Sequence, residues 1–208
     1  MSGREHQKQR TRNALIDAYF ELIRQGQSPS IAEVADRAEV SVATAYRYFP
    51  NPQSLRADAA VSATRNMPTF EEILADAGDD PFVRIETVIR HAAAMQFGDE
   101  PVWRGVLHAT LERWFAQWEA GGEMVPVRST ARHDGVSLAL RPLESELSPD
   151  ALRRLTHAVM LVWGVEALVV TRDTAGLDPT EATTTMVHAA HALIRDALTQ
   201  AAVTSDRK

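Results

Sequence analysis

The sequence predicts an all-α protein, and three observations carry that prediction. Apolar residues recur at spacings of three and four, and no window sustains the period-two alternation of a half-buried strand. Residues able to cap a helix N-terminus stand just before several apolar runs, with Pro at the first helical position or Glu three residues on. Gly and Pro mostly punctuate these runs, where a helix interior would lose roughly 1–3 kcal/mol to each.

Taken in order, Leu15, Ala18, Tyr19, Leu22 and Ile23 mark one face of a first helix that ends at Gly26 and Pro29. Ser30 with Glu33 is a capping box for a short helix bearing Ile31, Val34, Ala35 and Ala38. Glu39-Val40 breaks the period, and Ser41 caps a second short helix, Val42 to Phe49. Asn51-Pro52 opens a fourth helix that runs until Pro68. Further helices are expected after Asp80-Pro81 and Glu100-Pro101, with a break at Gly121-Gly122. Arg128 to Glu146 reads as helical, and Ser148-Pro149 starts a long helix to about Thr171. Gly176, Asp178, Pro179 and Glu181 stop that helix and cap a final one running to about Val203. The expected organisation is a three-helix helix-turn-helix unit in residues 1–66 and a larger helical domain in 67–208.

Composition narrows the chemistry. At 45% apolar and 24% charged residues the chain is ordinary globular material, and without cysteine it has no disulfide, thiolate metal site or cysteine nucleophile. The polar start lacks an apolar signal core, and "AVMLVWGVEALVV" is interrupted by Glu166 and too short to span a bilayer, so a cytoplasmic protein with no membrane partner is expected. The net charge of −6 hides an asymmetry: residues 1–66 hold nine Lys/Arg against seven Asp/Glu, with Arg4, Lys8, Arg10 and Arg12 crowded at the start. A basic arm of that kind suits a polyanion.

Two short helices joined by a tight turn behind a longer one describe a helix-turn-helix. Ser41, Thr44, Arg47 and Tyr48 leave the second short helix a polar face that can enter a major groove. The stretch "IAEVADRAEVSVATAYRYFPNPQSL" resembles the DNA-binding signature of TetR-family transcriptional regulators, with its Ile-Ala pair, its Val-Ser turn and its Thr-x-Tyr-x-x-Phe. The resemblance covers about residues 10–60. It implies a repressor that binds double-stranded DNA as a homodimer, through helices near 149–171 and 179–202, and is released by a small effector. It further implies base reading by Val42, Ala43 and Thr44, a guanine or phosphate contact by Arg47, and phosphate contacts from Arg12, Ser30, Ser41, Tyr46 and Tyr48. The chain departs from the family pattern at Glu39, where Gly is usual, and at Pro52, where Lys is common.

In the larger domain Trp103, Leu107, Leu111, Trp114 and Trp118 recur at helical spacing. Most of that face is expected in the core. Trp103, Leu107, His108 and Leu111, with Trp163 from the long helix, are the candidates to touch an apolar or aromatic effector. Glu166 stands on an apolar stripe and calls for a structural partner. His188 and His191 read as solvated, and no His pair has a metal-site spacing with a carboxylate, so neither metal nor cofactor is expected. Two other functions compete. A helical interaction module with a degenerate helix-turn-helix is kept open by Glu39 and Pro52. A small α-helical enzyme is disfavoured, because no nucleotide-binding glycine loop, H-E-x-x-H or catalytic triad pattern is present.

Overall fold

A computed structural model describes residues 3–205. Among them are eleven α-helices and no strand. By packing, the chain divides into two units. The first comprises the described residues up to Met67 together with Asp99–Val127, and the second Pro68–Gly98 with the described residues from Arg128 onward. The segment Asp99–Val127 packs with the first unit rather than with the residues that flank it in sequence.

The first unit holds α1 (Gly3–Arg24), α2 (Ile31–Arg37), α3 (Val42–Tyr48), α4 (Pro52–Thr64) and α7 (Glu100–Ala120). The basic segment Arg4 to Arg12 is the first half of α1, not an extended arm. Leu15, Ile16 and Tyr19 of α1, Ile31 and Val34 of α2, Ala45 and Phe49 at α3, and Leu55 of α4 close one apolar core. Two helices end in the same way. Gly26, at φ 78°, donates to Ile23 O while Gln27 donates to Leu22 O. At the end of α2, Glu39 N donates to Asp36 O and Val40 N to Ala35 O, with Glu39 at φ 54°. Both are Schellman caps, whose penultimate residue sits in the left-handed region.

The second unit holds α5 (Phe70–Ile73), α6 (Pro81–Gly98), α8 (Ala131–Leu140) with a 3₁₀ turn over Arg141–Ser145, α9 (Pro149–Met160), α10 (Val165–Val169) and α11 (Pro179–Ser205). Its core is built from Ile85, Val88 and Ile89 of α6, Val136 and Leu140 of α8, Leu155 and Val159 of α9, and Ala190 and Ile194 of α11. Arg84 is buried within it and satisfied by the carbonyls of Gly78, Leu138 and Ala139. The expected single helix from 149 to 171 is broken: residues 161–164 leave the helical path, Gly164 takes φ 96°, and α10 runs on into a π turn over Val170–Thr174. His191 is half-buried rather than solvated. Its Nε2 lies 3.1 Å from Phe82 O, and its ring meets the Phe82 ring edge-on.

Glu39 is the one non-glycine at positive φ among the described residues, and its side chain has no partner that would repay the strain. A Cβ in that region costs about 1–2 kcal/mol, partly offset by the greater entropy a glycine loses on folding. Glu39→Gly is therefore expected to stabilise the protein by about 0.5–1 kcal/mol, raising the Tm by roughly 1–4 °C. A thermal melt showing a lower Tm than the wild type would refute this account of the turn.

Candidate nucleic-acid interface

The two short helices are set by their caps. Ser30 accepts from Glu33 N, and Glu33 Oε2 in return accepts from Ser30 N at 2.7 Å and from its hydroxyl at 2.7 Å. Those bonds to Ser30 hold the Glu33 carboxyl below the ordinary range. Ser41 accepts from Thr44 N at 3.2 Å, and its hydroxyl lies 2.8 Å from Thr44 Oγ1, which takes its proton. Thr44 thereby keeps its own hydroxyl proton for another acceptor.

Around α3 the residues sort by helical angle. Ala45 and Phe49 are buried and Tyr48 packs partly against the same core. Val42, Ala43, Tyr46 and Arg47, at i, i+1, i+4 and i+5, form one continuous exposed arc. Neither the Tyr46 hydroxyl nor the Arg47 guanidinium meets a partner among the described residues. Of the residues expected at a DNA surface, the structure gathers Ser41, Val42, Ala43, Thr44, Tyr46 and Arg47 on or beside this arc. Ser30 is exposed at the head of α2, but its hydroxyl is engaged by the capping box. Arg12 is half-buried and ion-paired with Asp58 of α4, so its charge braces α1 to α4. Arg4, Lys8 and Arg10 are exposed along the start of α1.

Behind this surface α7 ties the unit together in a way sequence reasoning did not reach. Arg24 at the end of α1 meets Asp99 at 2.6 Å, and Arg56 of α4 grips Glu112 of α7 with two N–H groups, Nε to Oε2 at 2.7 Å. The Arg56 hydrogen bond outweighs the burial of Glu112 and, with the Arg56 charge, holds its carboxyl below the ordinary range. Burial pushes the neighbouring Tyr19 hydroxyl up. Such pairs join residues far apart in sequence, where no periodicity can reveal them.

The effector candidates fall in both units. Trp103 is buried on α7 and Leu107 half-buried, while His108 and Leu111 are exposed. Beyond them the stripe expected in the core lies open: Trp114, Phe115 and Trp118 are exposed, with the two indoles stacked 5.5 Å apart. Trp163 belongs to the core of the second unit. The second unit also has an open groove of about 530 Å³ between α9 and α11, floored by Ala151, Leu155, Ala158, Leu193, Ala197 and Ala201 and lined by none of the effector candidates. Glu166 has the structural partners its position calls for, Arg128 at 2.6 Å and Arg132. No single helix among the described residues is long and apolar enough to cross a membrane.

No family model matches the chain, and no curated protein matches it. Among solved structures, the chain is similar to the crystal structure of a TetR transcriptional regulator from Rhodococcus sp. RHA1, with a TM-score of 0.53 and 20% identity. The match covers 90% of this chain and 97% of that one. The fold is therefore the all-α fold of that regulator.

The brace between α4 and α7 should be visible in acid. Because the folded state holds Glu112 below its ordinary pKa, its contribution to stability is present above the usual glutamate range, near 4.3. That contribution is lost as pH falls through the lower folded-state value. Glu112→Gln should flatten the acid limb of a plot of stability against pH while leaving its slope near neutrality unchanged. Parallel acid limbs in wild type and variant would show that the pair contributes nothing.

Proposed function

We propose that the protein is a TetR-family, sequence-specific DNA-binding transcriptional regulator, acting as a dimeric repressor that a small apolar effector releases from its operator. The observation that carries this reading is the exposed arc of α3, in which Val42, Ala43, Tyr46 and Arg47 face outward without internal partners. A helix of seven residues has no need of an open arginine and an open tyrosine for its own packing. In a major groove the arc supplies apolar contact to thymine methyl groups, a guanidinium for guanine or phosphate, and a phenol for phosphate. Arg4, Lys8 and Arg10 on α1 supply further positive charge to a protein that is acidic overall.

Dimerisation is assigned to α9–α10 and α11. The groove between α9 and α11 is open and floored largely by alanines that permit close helix approach, and Leu161, Val170 and Val203 on the same stretches of chain are exposed. Arg154 and Asp196 stand on opposite walls, so a two-fold partner can pair each with the other's counterpart. The open arc also favours DNA binding over a degenerate interaction module, since a lost function leaves no reason to keep Arg47 unpaired.

The decisive experiment is a gel shift with DNA flanking the protein's own gene. Binding is expected to fall by about 10³–10⁵ between 50 and 200 mM salt if six to ten phosphates are neutralised by the dimer. Arg47→Ala should weaken specific binding by about 1–3 kcal/mol with an unchanged melting curve. Specific binding unaffected by this substitution would mean that α3 does not read the groove.

Ala197→Glu places a charge on the groove floor at a half-buried position, so the fold should survive while dimers fall apart. Sedimentation of the variant is expected to show a monomer with unchanged helical circular dichroism. A dimer as tight as the wild type would move the interface elsewhere.

A further inference from the structure

The break between α9 and α10 holds a group of side chains that neither DNA binding nor dimerisation uses. When the helix stops at Met160, the Arg132 guanidinium of α8 enters the notch. Its Nη1 donates to Met160 O at 3.2 Å, its Nη2 binds Glu166 Oε2, and its carbon lies 5.7 Å from the centre of the Trp163 ring. The approach is so close that a Cβ on Gly164 would fall 2.4 Å from Arg132 Nη2, and Gly164 itself sits at φ 96°. The notch therefore requires glycine. Arg128 reaches the other Glu166 oxygen at 2.6 Å.

Two features go beyond a structural ion pair. First, two guanidiniums share one carboxylate, so the cluster carries a net positive charge. Burial lowers the Arg128 pKa, while its side chain remains 38% exposed, so the cluster opens to solvent on the Arg128 side. Burial alone would raise the Glu166 carboxyl, but the Arg132 hydrogen bond and both arginine charges hold it below the ordinary range, so it is ionised and spent on them. Second, Trp163 is only 4% exposed, and its indole Nε1 meets no acceptor among the described residues. A buried donor without an acceptor costs about 1–3 kcal/mol, and folded proteins seldom leave one. The Arg132 carbon lies 5.7 Å from the centre of the ring that carries this N–H, at the edge of an apolar core containing Leu155 and Val159, so the cation and the indole can share one ligand, an anionic acceptor carried on an apolar body.

We propose that this notch is the polar end of an effector site for an organic carboxylate, with Arg128, Arg132 and the Trp163 N–H receiving the acid and the adjoining core receiving its hydrocarbon. The inference deepens the effector-controlled reading above and rests on it. A carboxylate oxygen can accept from the indole while its partner oxygen takes guanidinium donors not engaged by Glu166. Glu166 then acts as the competitor, occupying the arginines until the ligand arrives. Binding at the α9–α10 break, next to the helices assigned to the dimer, is where a ligand would be felt by the assembly.

The test uses the full chain with benzoate, phenylacetate and octanoate, each beside its methyl ester, followed by calorimetry and by the gel shift. The acids are expected to bind and the esters to bind at least ten-fold more weakly. Trp163→Phe, which keeps the aromatic body and loses only the N–H and ring size, should weaken acid binding about ten-fold and leave ester binding unchanged. Glu166→Gln should tighten acid binding by removing the competitor. Equal binding of acids and esters, or acid binding indifferent to Trp163→Phe, overturns the carboxylate site. Esters that bind and release DNA would preserve the effector reading while removing this inference. Failure of both series to bind, with DNA binding intact, removes this inference and leaves the DNA-binding reading standing.

Discussion

The presentation of α3 depends on three residues, Ala38 to Val40. Ending α2 requires its last carbonyls to find donors, and the chain does this by turning Glu39 into the left-handed region so that its own N–H and that of Val40 reach back to Asp36 and Ala35. The same turn brings Val40 against the core formed by α1, α2 and α3. Once Val40 is seated, Ser41 can begin a new helix whose inner side is fixed by Ala45 and Phe49 and whose outer side is left to Val42, Ala43, Tyr46 and Arg47. A glycine would make the turn at lower cost. The protein accepts the strain at Glu39 because the hydrogen bonds and the burial of Val40 around it over-determine the geometry.

Charge pairs then fix the helices that support α3. Arg12 with Asp58, Arg24 with Asp99 and Arg56 with Glu112 join α1, α4 and the start and middle of α7 within one unit. The most enclosed of these, Arg56 with Glu112, is also the most directional, because a guanidinium and a carboxylate meet through two parallel bonds. Arg12, read from sequence as a phosphate contact, belongs to this scaffold. Arg47, with no such partner, stands apart from it. What separates the bracing Arg12 from the open Arg47 is the partner each one meets among the described residues.

In the second unit the constraint is of another kind. Within the apolar stretch 158–170, Val159, Trp163, Val165 and Leu168 are buried while Leu161 and Val170 are exposed, and Gly164 interrupts the helix. The interruption frees the Met160 carbonyl, and Arg132 satisfies it while bridging to Glu166. An acid on an apolar stripe, which burial would make costly alone, is stable because two arginines share it. The price of that solution is a surplus cation near an indole whose N–H has no acceptor among the described residues.

By itself the sequence determined the local grammar. Ser30 with Glu33, Asn51 with Ser54 and Asp178 with Glu181 cap their helices through bonds spanning three residues, and short-range geometry of that kind is written in neighbouring positions. The positive φ of Glu39 and the open face of α3 follow from the same local rules and from the resemblance to a known signature. The tertiary structure alone decided which stripes are covered. Trp103 and Trp118 share one helical stripe, yet Trp103 is 8% exposed and Trp118 66%. Periodicity says that residues share a face, and only the neighbours brought in by the rest of the chain say whether anything lies against it. The ion pairs obey the same rule: Arg132 and Glu166 stand 34 positions apart, and their meeting rests on the packing of α8 against α9 and on a glycine that lets the guanidinium in.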